Sequence, residues 1–327
     1  MLPPWNIEAL NPPFGDPGFF LYHNYSGQGL LFDLGDLHNL PPKKILQASH
    51  IFISHGHIDH LIGFDQLLRT TLNRPRHLNL YGPPGIIEMI GHKLLGYQWN
   101  LTAHYEMLIT VHAVHRQFME KCTFACADKF KPGSLITYDR TDNTIFAGPT
   151  FLIKAVTLDH GTPCLAFTLN ESIQVNFRPE ELQRRHLKPG PWLTQMRQAL
   201  QSGTADDTEI KIAGTCYPVK ELAGAIAITR PGRKIAYVTD IGFNSENRNR
   251  LLPLIANADL LLCEAAFLDS AADKAESSHH LTATQAGELA HEAKVRRLKL
   301  FHFSPRHHDL EKEFYLQAQA RFSGPVN

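Results

Sequence analysis

The segment Ser54–His60 concentrates side chains that could bind metal ions. It reads Ser-His-Gly-His-Ile-Asp-His and directly follows a short apolar run. Because side chains of an extended chain repeat every two residues, we expect His55 and His57 to point the same way and to bind one metal ion. Asp59 and His60 follow where the chain turns into a helix. We therefore expect them to face away from the first pair and to serve a second ion.

Two metal ions need more ligands than this segment supplies, and three later residues are candidates. His160, Asp240 and His302 each follow an apolar stretch by one or two residues. Layered α/β proteins expose their sites at strand ends, so these side chains could complete the two sites. For any one of them alone, a hydrogen-bonded polar residue at a strand end is the better interpretation, but the set of three favours metal binding. Imidazole and carboxylate ligands suit zinc, with manganese or iron as alternatives.

The elements that would position these residues alternate between short apolar strands and amphipathic helices. The expected strands cover residues 19–22, 30–33, 50–54, 77–81, 151–158, 165–169, 234–239, 260–263 and 298–301. The expected helices cover residues 61–71, 85–95, 248–256, 282–294 and 309–320. Strands and helices that alternate in both halves of a chain indicate a layered α/β fold.

Composition and charge exclude several classes of protein. The 327 residues include 32 Lys and Arg against 32 Asp and Glu, so a broad, non-specific coat of nucleic acid is not expected. With 43% hydrophobic residues and no apolar run long enough to span a bilayer, the sequence predicts a globular protein without a membrane segment. Five scattered cysteines are typical of a reducing cytoplasm, and no second zinc site is expected at Cys122 and Cys126.

Residues 171–222 interrupt the alternation of strands and helices. This segment is polar and contains Pro179, Pro189-Gly190-Pro191 and Gly203. Its seven basic and seven acidic side chains balance, although residues 176–200 hold five basic against two acidic ones. The segment is interpreted as an inserted arm and not as an independent domain.

Together these residues resemble the metallo-β-lactamase superfamily and, within it, ribonuclease Z, the tRNA 3′-end processing endonuclease. The resemblance extends from about Leu30 to Arg306 and rests on the order and spacing of seven residues: His55, His57, Asp59, His60, His160, Asp240 and His302. It implies an αββα four-layer sandwich in which residues 1–327 form a single domain and 171–222 an exosite-like arm. It also implies that His55, His57 and His160 bind one metal ion, that Asp59, His60 and His302 bind the other, and that Asp240 bridges them.

Three further motifs favour the ribonuclease Z branch over hydrolases of small thioesters and lactones. Residues 280–285 resemble its His-x-Thr motif with the helix that follows, and 302–306 resemble its His-x-Ser-x-Arg element. Residues 263–266 resemble its Glu-Ala-Thr element, with Ala266 in place of Thr. Residues 187–191, Leu-Lys-Pro-Gly-Pro, resemble its Gly-Pro-rich tRNA-clamping exosite.

The resemblance also implies roles beside the metal ions. Asp59 would accept a proton from a metal-activated water, and His280 would lie beside the leaving oxygen as a proton donor or phosphate ligand. A surface histidine next to a helix is the alternative for His280. Thr282, Ser304 and Arg306 are candidate phosphate contacts. The alternatives are a helix N-cap for Thr282 and an ordinary surface side chain for Arg306.

Two buried acids would support these groups. Asp33 matches an early Asp of the family and would position a metal ligand from behind, although a turn-forming Asp is an equal alternative. Glu264 would orient His280 or serve as a structural buried acid.

The sequence thus predicts a cytoplasmic metal-dependent phosphodiesterase that hydrolyses RNA, with the 3′ trailers of pre-tRNA as the expected substrate. It would hold two divalent ions, most often Zn²⁺ in such sites, and could dimerise through its arm. The alternative is a related hydrolase of a small phosphodiester or ester. Two departures from the family motivate that alternative. Residues 11–18, Asn-Pro-Pro-Phe-Gly-Asp-Pro-Gly, replace the Leu-Gly-Thr-Gly strand and Arg-Asn loop of the family, and the arm is only weakly basic.

Overall fold

A computed structural model describes residues 4–327, which fold around two large β-sheets. The strands are β1 (Trp5–Ala9), β2 (Phe19–His23), β3 (Gly29–Phe32), β4 (Ala48–Phe52), β5 (His77–Gly82), β6 (Leu108–Val114), β7 (Phe118–Ala125), β8 (Ile136–Asp139), β9 (Thr144–Ala147), β10 (Phe151–Asp159), β11 (Pro163–Glu171), β12 (Gln174–Phe177), β13 (Glu209–Ile212), β14 (Thr215–Pro218), β15 (Ala227–Arg230), β16 (Lys234–Val238), β17 (Leu260–Glu264) and β18 (Leu298–Phe301). The helices are α1 (Pro42–Ile45), α2 (Phe64–Thr71), α3 (Ile86–Leu95), α4 (Pro179–Arg184), α5 (Trp192–Ser202), α6 (Val219–Ile226), α7 (Ser245–Ile255), α8 (Ala272–Ser277), α9 (Ala283–Glu292) and α10 (Glu311–Gln319).

The first sheet has eight strands in the order of the chain, from β1 to β8. Its central strands β3, β4, β5 and β6 run parallel, and antiparallel strands flank them on both sides. The second sheet has six strands in the order β18-β17-β16-β11-β10-β9. Strands β16, β17 and β18 are parallel, so their carboxyl ends lie at one edge.

Aromatic side chains fill the space between the two sheets. Phe32 of β3 packs against Phe167 of β11 with ring centroids 5.8 Å apart, and Phe19 of β2 packs against Phe301 of β18 at 5.2 Å. All four side chains are almost fully excluded from solvent. Burial of each ring stabilises the fold by roughly 1.5–3 kcal/mol, so the two sheets form a joint core.

Helices cover the outer face of each sheet. Helices α2 and α3 bury Phe64, Leu67 and Ile90 in a core on the first sheet. On the second sheet, α9 and α10 bury Leu289 and Phe314 in a separate core. The layers are thus helix, sheet, sheet and helix, and the predicted αββα sandwich is confirmed.

The described chain divides into two compact units. Of the described residues, the first comprises 4–146, 153–168 and 235–327, and the second comprises 147–152 and 169–234. In the second unit, β12 pairs with β15, β13 pairs with β14, and helices α4, α5 and α6 enclose a small apolar core around Trp192, Met196 and Ile226. The predicted segment 171–222 falls within this unit, and its role as an arm stays a prediction.

Most of the expected elements are present, with shifts of a few residues at their ends. The helix expected from Leu61 begins at Phe64, because residues 58–60 form a 3₁₀ turn first. Strands β6 and β7 escaped the sequence interpretation, because the turn between them lacks the Gly, Asn or Pro that usually marks a hairpin. Cys122 and Cys126 are buried in the core of the first sheet as free thiols.

Candidate metal centre

The motif 54–60 occupies the end of a buried central strand. Strand β4 ends at Phe52, and the motif then leads through the 3₁₀ turn Ile58–His60 towards α2. The backbone stays fixed, because Leu165 of β11 donates from its amide to the carbonyl oxygen of Ser54 at 2.8 Å. His55 and His60 are fully buried, whereas His57 is exposed.

Three residues from the second sheet face this motif. His160 lies in the turn between β10 and β11, Asp240 follows β16, and His302 follows β18. Asp240 and His302 adopt left-handed backbone angles, with φ of 49° and 61°. This region is unfavourable for residues with a Cβ atom, so surrounding contacts must hold both residues there.

Asp240 lies at the centre of the cluster. Its Oδ2 atom is 3.5 Å from His55 Nε2, 3.3 Å from His60 Nε2 and 3.6 Å from His160 Nε2. The ring of His57 completes this side, with its centroid 4.4 Å from that of His55. Ligand atoms of His55, His57, His160 and Asp240 all lie within 4.8 Å of one another, so these four groups could share one cation.

A second group lies on the other side of Asp240. His302 Nε2 is 3.2 Å from Asp59 Oδ2, and His60 Nε2 is 3.4 Å from the same atom. His302 Nδ1 approaches Asp240 Oδ1 at 2.8 Å. Asp59, His60 and His302 therefore form another cluster that could hold a cation, and Asp240 reaches both clusters.

The chemistry of these donors fits divalent metal ions. Three buried imidazole nitrogens, His55 Nε2, His60 Nε2 and His302 Nδ1, have no hydrogen-bond partner in the described chain, although each lies near Asp240. Buried polar atoms normally have partners, so these lone pairs are available for a ligand. Tetrahedral zinc is typically bound by such imidazole and carboxylate groups.

The electrostatics of the cluster lead to the same interpretation. Burial, reinforced by neighbouring His60, lowers the pKa of His55 to about 2, so His55 is neutral and offers a lone pair. Burial would also lower the pKa of His302, but the carboxylates of Asp240 and Asp59 outweigh it and raise that pKa to about 10. Burial opposes ionisation of Asp240, yet His302 and His60 hold its pKa well below the usual value. The carboxylates thus favour positive charge beside them, which is either a proton on His302 or a metal cation that takes the place of that proton.

A fully buried network holds His60 from behind. The Asp33 carboxylate lies 2.7 Å from His60 Nδ1 and accepts from the Ser54 amide at 2.6 Å, the Ser54 hydroxyl at 2.7 Å and the Tyr237 hydroxyl at 2.7 Å. Because Nδ1 of His60 donates to Asp33, Nε2 is left to face the cluster. Tyr237 was missed by sequence reasoning, since a tyrosine in an apolar strand looks like a core residue.

His280 lies beside the clusters and is held by Glu264. Its Nδ1 atom is 2.8 Å from Glu264 Oε2, while Glu264 Oε1 accepts from the amide of Ile241 at 2.8 Å. Burial would lower the pKa of His280, but the charge and hydrogen bond of Glu264 outweigh burial and raise it. A protonated His280 beside the metal cluster could donate a proton or bind a phosphate oxygen.

The loop that carries His160 is tied to the loop that carries Asp240. The buried side chain of Asn247 in α7 accepts from the Asp159 amide at 2.8 Å and donates to the carbonyl oxygens of Asp159 at 2.8 Å and Gly242 at 2.9 Å. In addition, His160 Nδ1 donates to the carbonyl oxygen of His279 at 2.7 Å. Nε2 of His160 is thereby directed towards Asp240. Sequence reasoning also missed Asn247, which resembles any polar helix residue.

The three candidate phosphate contacts occupy different environments. Thr282 is buried as the N-cap of α9, and its hydroxyl accepts from the amide of Gln285 in a capping box. Ser304 lines a cavity next to His302 and His280. Arg306 is exposed on the turn that follows. A phosphate-binding role for these residues stays a prediction.

Comparison with known proteins identifies the family of this chain. A family model described as a beta-lactamase superfamily domain matches residues 153–303. Ribonuclease Z of Deinococcus radiodurans is 34% identical over 308 residues, which cover 91% of this chain and 90% of that protein. The chain belongs to the ribonuclease Z family. Ribonuclease Z of Treponema pallidum is 28% identical over 306 residues, which cover 90% of this chain and 84% of that protein.

Solved structures support the fold of this ribonuclease Z family member. The metallo-beta-lactamase fold protein YhfI of Bacillus subtilis superposes with a TM-score of 0.59 over 99% of this chain and 95% of that one, at 18% identity. The short form of human tRNase Z gives a TM-score of 0.50 at 19% identity, with coverage of 92% and 90%. The predicted superfamily and the prediction of a metal-dependent hydrolase are confirmed. Within residues 4–327, no helix combines the length and apolarity needed to cross a membrane.

In this ribonuclease Z family member, the structure brings together every residue that the sequence predicted as a metal ligand. They come from one motif and three distant loops: His55, His57, Asp59, His60, His160, Asp240 and His302. Glu264 and His280 form a third group with Asp240 and His302. The chain thus has clusters of His, Asp and Glu side chains that are able to bind metal.

Proposed function

We propose that this protein is a dinuclear metal-dependent endoribonuclease that removes 3′ trailers from pre-tRNA. The observation that carries the proposal is the cluster of seven ligands around Asp240, in a chain 34% identical to a ribonuclease Z over most of its length. The adjacent pair of His280 and Glu264 adds a cationic group at the edge of the cluster, where a phosphodiester oxygen would need one.

In this proposal, His55, His57 and His160 hold one ion, Asp59, His60 and His302 hold the other, and Asp240 is shared. The three orphaned imidazole nitrogens and the neutral state of His55 support this assignment. Zinc fits the ligand set best, with manganese or iron as alternatives. Metal ions bound there would supply charge to the phosphodiester and make an attacking water acidic near neutral pH.

Side chains of this protein would handle the protons of the reaction. Burial opposes ionisation of Asp59, but its contacts with His302 and His60 keep its pKa well below the usual value, so it is an ionised carboxylate. We propose that it accepts the proton because it lies beside the clusters, where the attacking water would be held. His280, protonated through its contact with Glu264, would donate to the leaving oxygen or hold a phosphate oxygen. Asp33 and Glu264 would position His60 and His280 without contacting the substrate.

The test is cleavage of a pre-tRNA transcript that carries a 3′ extension. We expect the protein to bind two equivalents of zinc, to release the trailer, and to lose activity on chelation. His57→Ala should lower the cleavage rate at least 100-fold and reduce bound metal, because it removes a proposed metal ligand. Since His57 is exposed, its removal should not disturb the core. The matched control is His104→Ala, since His104 is an exposed histidine outside the clusters. Cleavage that survives both chelation and His57→Ala would contradict the mechanism.

A second candidate substrate is a small phosphodiester. The balanced charge of residues 171–222 favours this candidate, because tight binding of a whole tRNA normally requires a basic surface. Rapid turnover of bis(p-nitrophenyl) phosphate, together with no cleavage of the extended transcript, would favour it over the tRNA proposal.

The proposal extends to assembly and location. We expect a homodimer formed through residues 171–222 and a cytoplasmic location. Sedimentation of the full chain, compared with a variant in which residues 187–191 are replaced by Gly-Ser repeats, tests the first expectation. A wild-type protein that sediments as a monomer at micromolar concentration contradicts it.

A further inference from the structure

A cavity of about 290 Å³ adjoins the metal clusters. Asp59, His280 and His302 line it, together with Phe14, Gly15 and Asp16 of the loop 11–18. Phe267 and Phe303 also line it, so the wall is partly aromatic. The volume lies at the lower end of ligand pockets, which suits a single nucleotide unit and not a folded RNA segment.

The loop 11–18 is held in place by hydrogen bonds to fixed parts of the fold. The amide of Phe303 donates to the carbonyl oxygen of Pro13 at 2.8 Å, and the amide of Gly35 donates to that of Pro17 at 3.1 Å. The side-chain amide of Asn11 donates to the carbonyl oxygen of Asp16 at 2.9 Å and to that of Asp36 at 3.0 Å. Residue 16 is therefore presented by a rigid support, as recognition of a small group requires.

The chemistry of Asp16 determines what it could recognise. Its carboxylate belongs to none of the three clusters able to hold a cation, so it is not a ligand of the proposed metal ions. It lines the same cavity as Asp59, and burial together with the charge of Asp59 raises the pKa of Asp16, so a phosphate placed beside Asp16 would also be repelled. A carboxylate accepts hydrogen bonds and donates none, so its partner in a nucleotide must be a hydrogen-bond donor, and the ribose 2′-hydroxyl is the donor that lies next to the scissile phosphate.

We infer that this cavity is a subsite for one ribonucleotide next to the scissile phosphate, and that Asp16 accepts a hydrogen bond from its ribose 2′-hydroxyl. The inference rests on the proposed function and names the feature by which the site selects RNA. The 2′-hydroxyl is the group that distinguishes RNA from DNA. The aromatic wall contributed by Phe14 and Phe267 would pack against the sugar or base of the same nucleotide.

The experiment combines a change in the protein with a change in the substrate. Extended pre-tRNA transcripts would carry a single 2′-deoxynucleotide either 5′ or 3′ of the scissile phosphate. For the wild-type protein, we expect kcat/KM to fall at least tenfold with one of them, since a hydrogen bond to a charged group is lost. Asp16→Ala should lower kcat/KM about tenfold on the all-ribose transcript and abolish the 2′-deoxy effect. Asp16→Asn, which retains an accepting oxygen, should give an intermediate loss.

The coupling between the two changes separates recognition from a structural role. A variant that merely disturbed the loop would slow all transcripts by the same factor and would keep the 2′-deoxy effect. The matched control is Asp128→Ala, which removes an exposed acid on a different surface. A wild-type enzyme that cleaves ribose and deoxyribose transcripts equally, or an Asp16→Ala variant with an unchanged 2′-deoxy effect, overturns the inference alone. A wild-type protein that cleaves no transcript overturns the proposed function and the inference with it.

Discussion

The substitution Asp33→Asn isolates the contribution of the carboxylate behind His60. Asp33 Oδ2 interacts with three donors, from Ser54, Tyr237 and His60, and Oδ1 accepts from the amide of Ser54. An asparagine can place its oxygen only at one of these two positions. Its NH₂ group then occupies the other position and faces a donor instead of an acceptor. The fewest hydrogen bonds are lost when the NH₂ group takes the Oδ1 position and faces only the backbone amide of Ser54. Residue 33 has φ of 55°, a region that asparagine tolerates well, so the change introduces little backbone strain.

The expected magnitude follows from that count. One hydrogen bond to a charged group is lost, worth about 1.5–3 kcal/mol, and the Ser54 amide is left buried without a partner. The free energy of unfolding should therefore fall by about 3 kcal/mol, within the roughly 5–15 kcal/mol available to a folded domain. The weaker hold on His60 should reduce metal affinity about 10- to 100-fold. Tyr237→Phe leaves the other donors in place, so it should lower stability by only about 1–2 kcal/mol.

Two measurements check this prediction. Urea unfolding in the presence of a chelator gives the stability without the contribution of bound metal. Competition with a chromophoric zinc chelator gives the metal affinity. The expected order of both effects is wild type, Tyr237→Phe, then Asp33→Asn. If Asp33→Asn binds zinc within twofold of the wild type, the network does not position His60, and the reasoning is refuted.

Three further predictions concern residues around the cluster. Glu264→Gln should lower the pKa of His280 in the folded protein. Because a pKa raised by folding stabilises the protein most below the unfolded value near 6.5, the loss of stability in chelator should be largest below that pH and should shrink as pH rises through the folded-state pKa of His280. NMR titration of His280 and urea unfolding at several pH values would check this. Asn247→Ala should lower the free energy of unfolding by about 2–3 kcal/mol and weaken zinc binding, since Asp159 loses both backbone contacts; unchanged zinc affinity would show that the tie does not position His160. Thr282→Ala should cost about 1 kcal/mol in thermal unfolding through loss of the cap while kcat stays within twofold, and a large drop in kcat would instead assign Thr282 to phosphate binding.

Local spacing made much of the site predictable from sequence. Ser54–His60 places its candidate ligands within one turn after a strand, so their proximity follows from chain geometry. The expectation that His60 faces away from His55 and His57 was wrong, because its ring lies 4.2 Å from that of His55, compared with 4.4 Å for the ring of His57. His160, Asp240 and His302 were recognisable because each follows an apolar strand, and the parallel strands β16 and β18 bring Asp240 and His302 to one edge of the sheet. The order of the layers followed from the same alternation of strands and helices.

The residues that escaped prediction act through contacts distant in sequence. Tyr237 is 204 residues from Asp33, and Asn247 is 88 residues from Asp159. Each has an ordinary neighbourhood in the sequence, and only the packing of one sheet on the other gives it a partner. The loop 11–18 is a similar case, because its Pro-rich sequence predicts a turn but not the cavity that Asp16 faces. These residues could not be predicted because a single sequence does not show which distant residues come into contact.

The left-handed backbone conformation at Asp33, Asp240 and His302 has a consequence for how the sequence of this fold would change during evolution. Each of these residues occupies a conformation that glycine adopts without strain and that costs an ordinary side chain about 1–2 kcal/mol, although Asp and His tolerate it better than most. The buried contacts of the Asp33 carboxylate would retain that residue for stability alone. At Asp240 and His302, by contrast, a lineage selected only for folding would be free to drift to Gly or Asn. Among proteins of the same architecture, the residue types at positions 240 and 302 would therefore separate hydrolases from descendants that have kept the fold and lost the reaction.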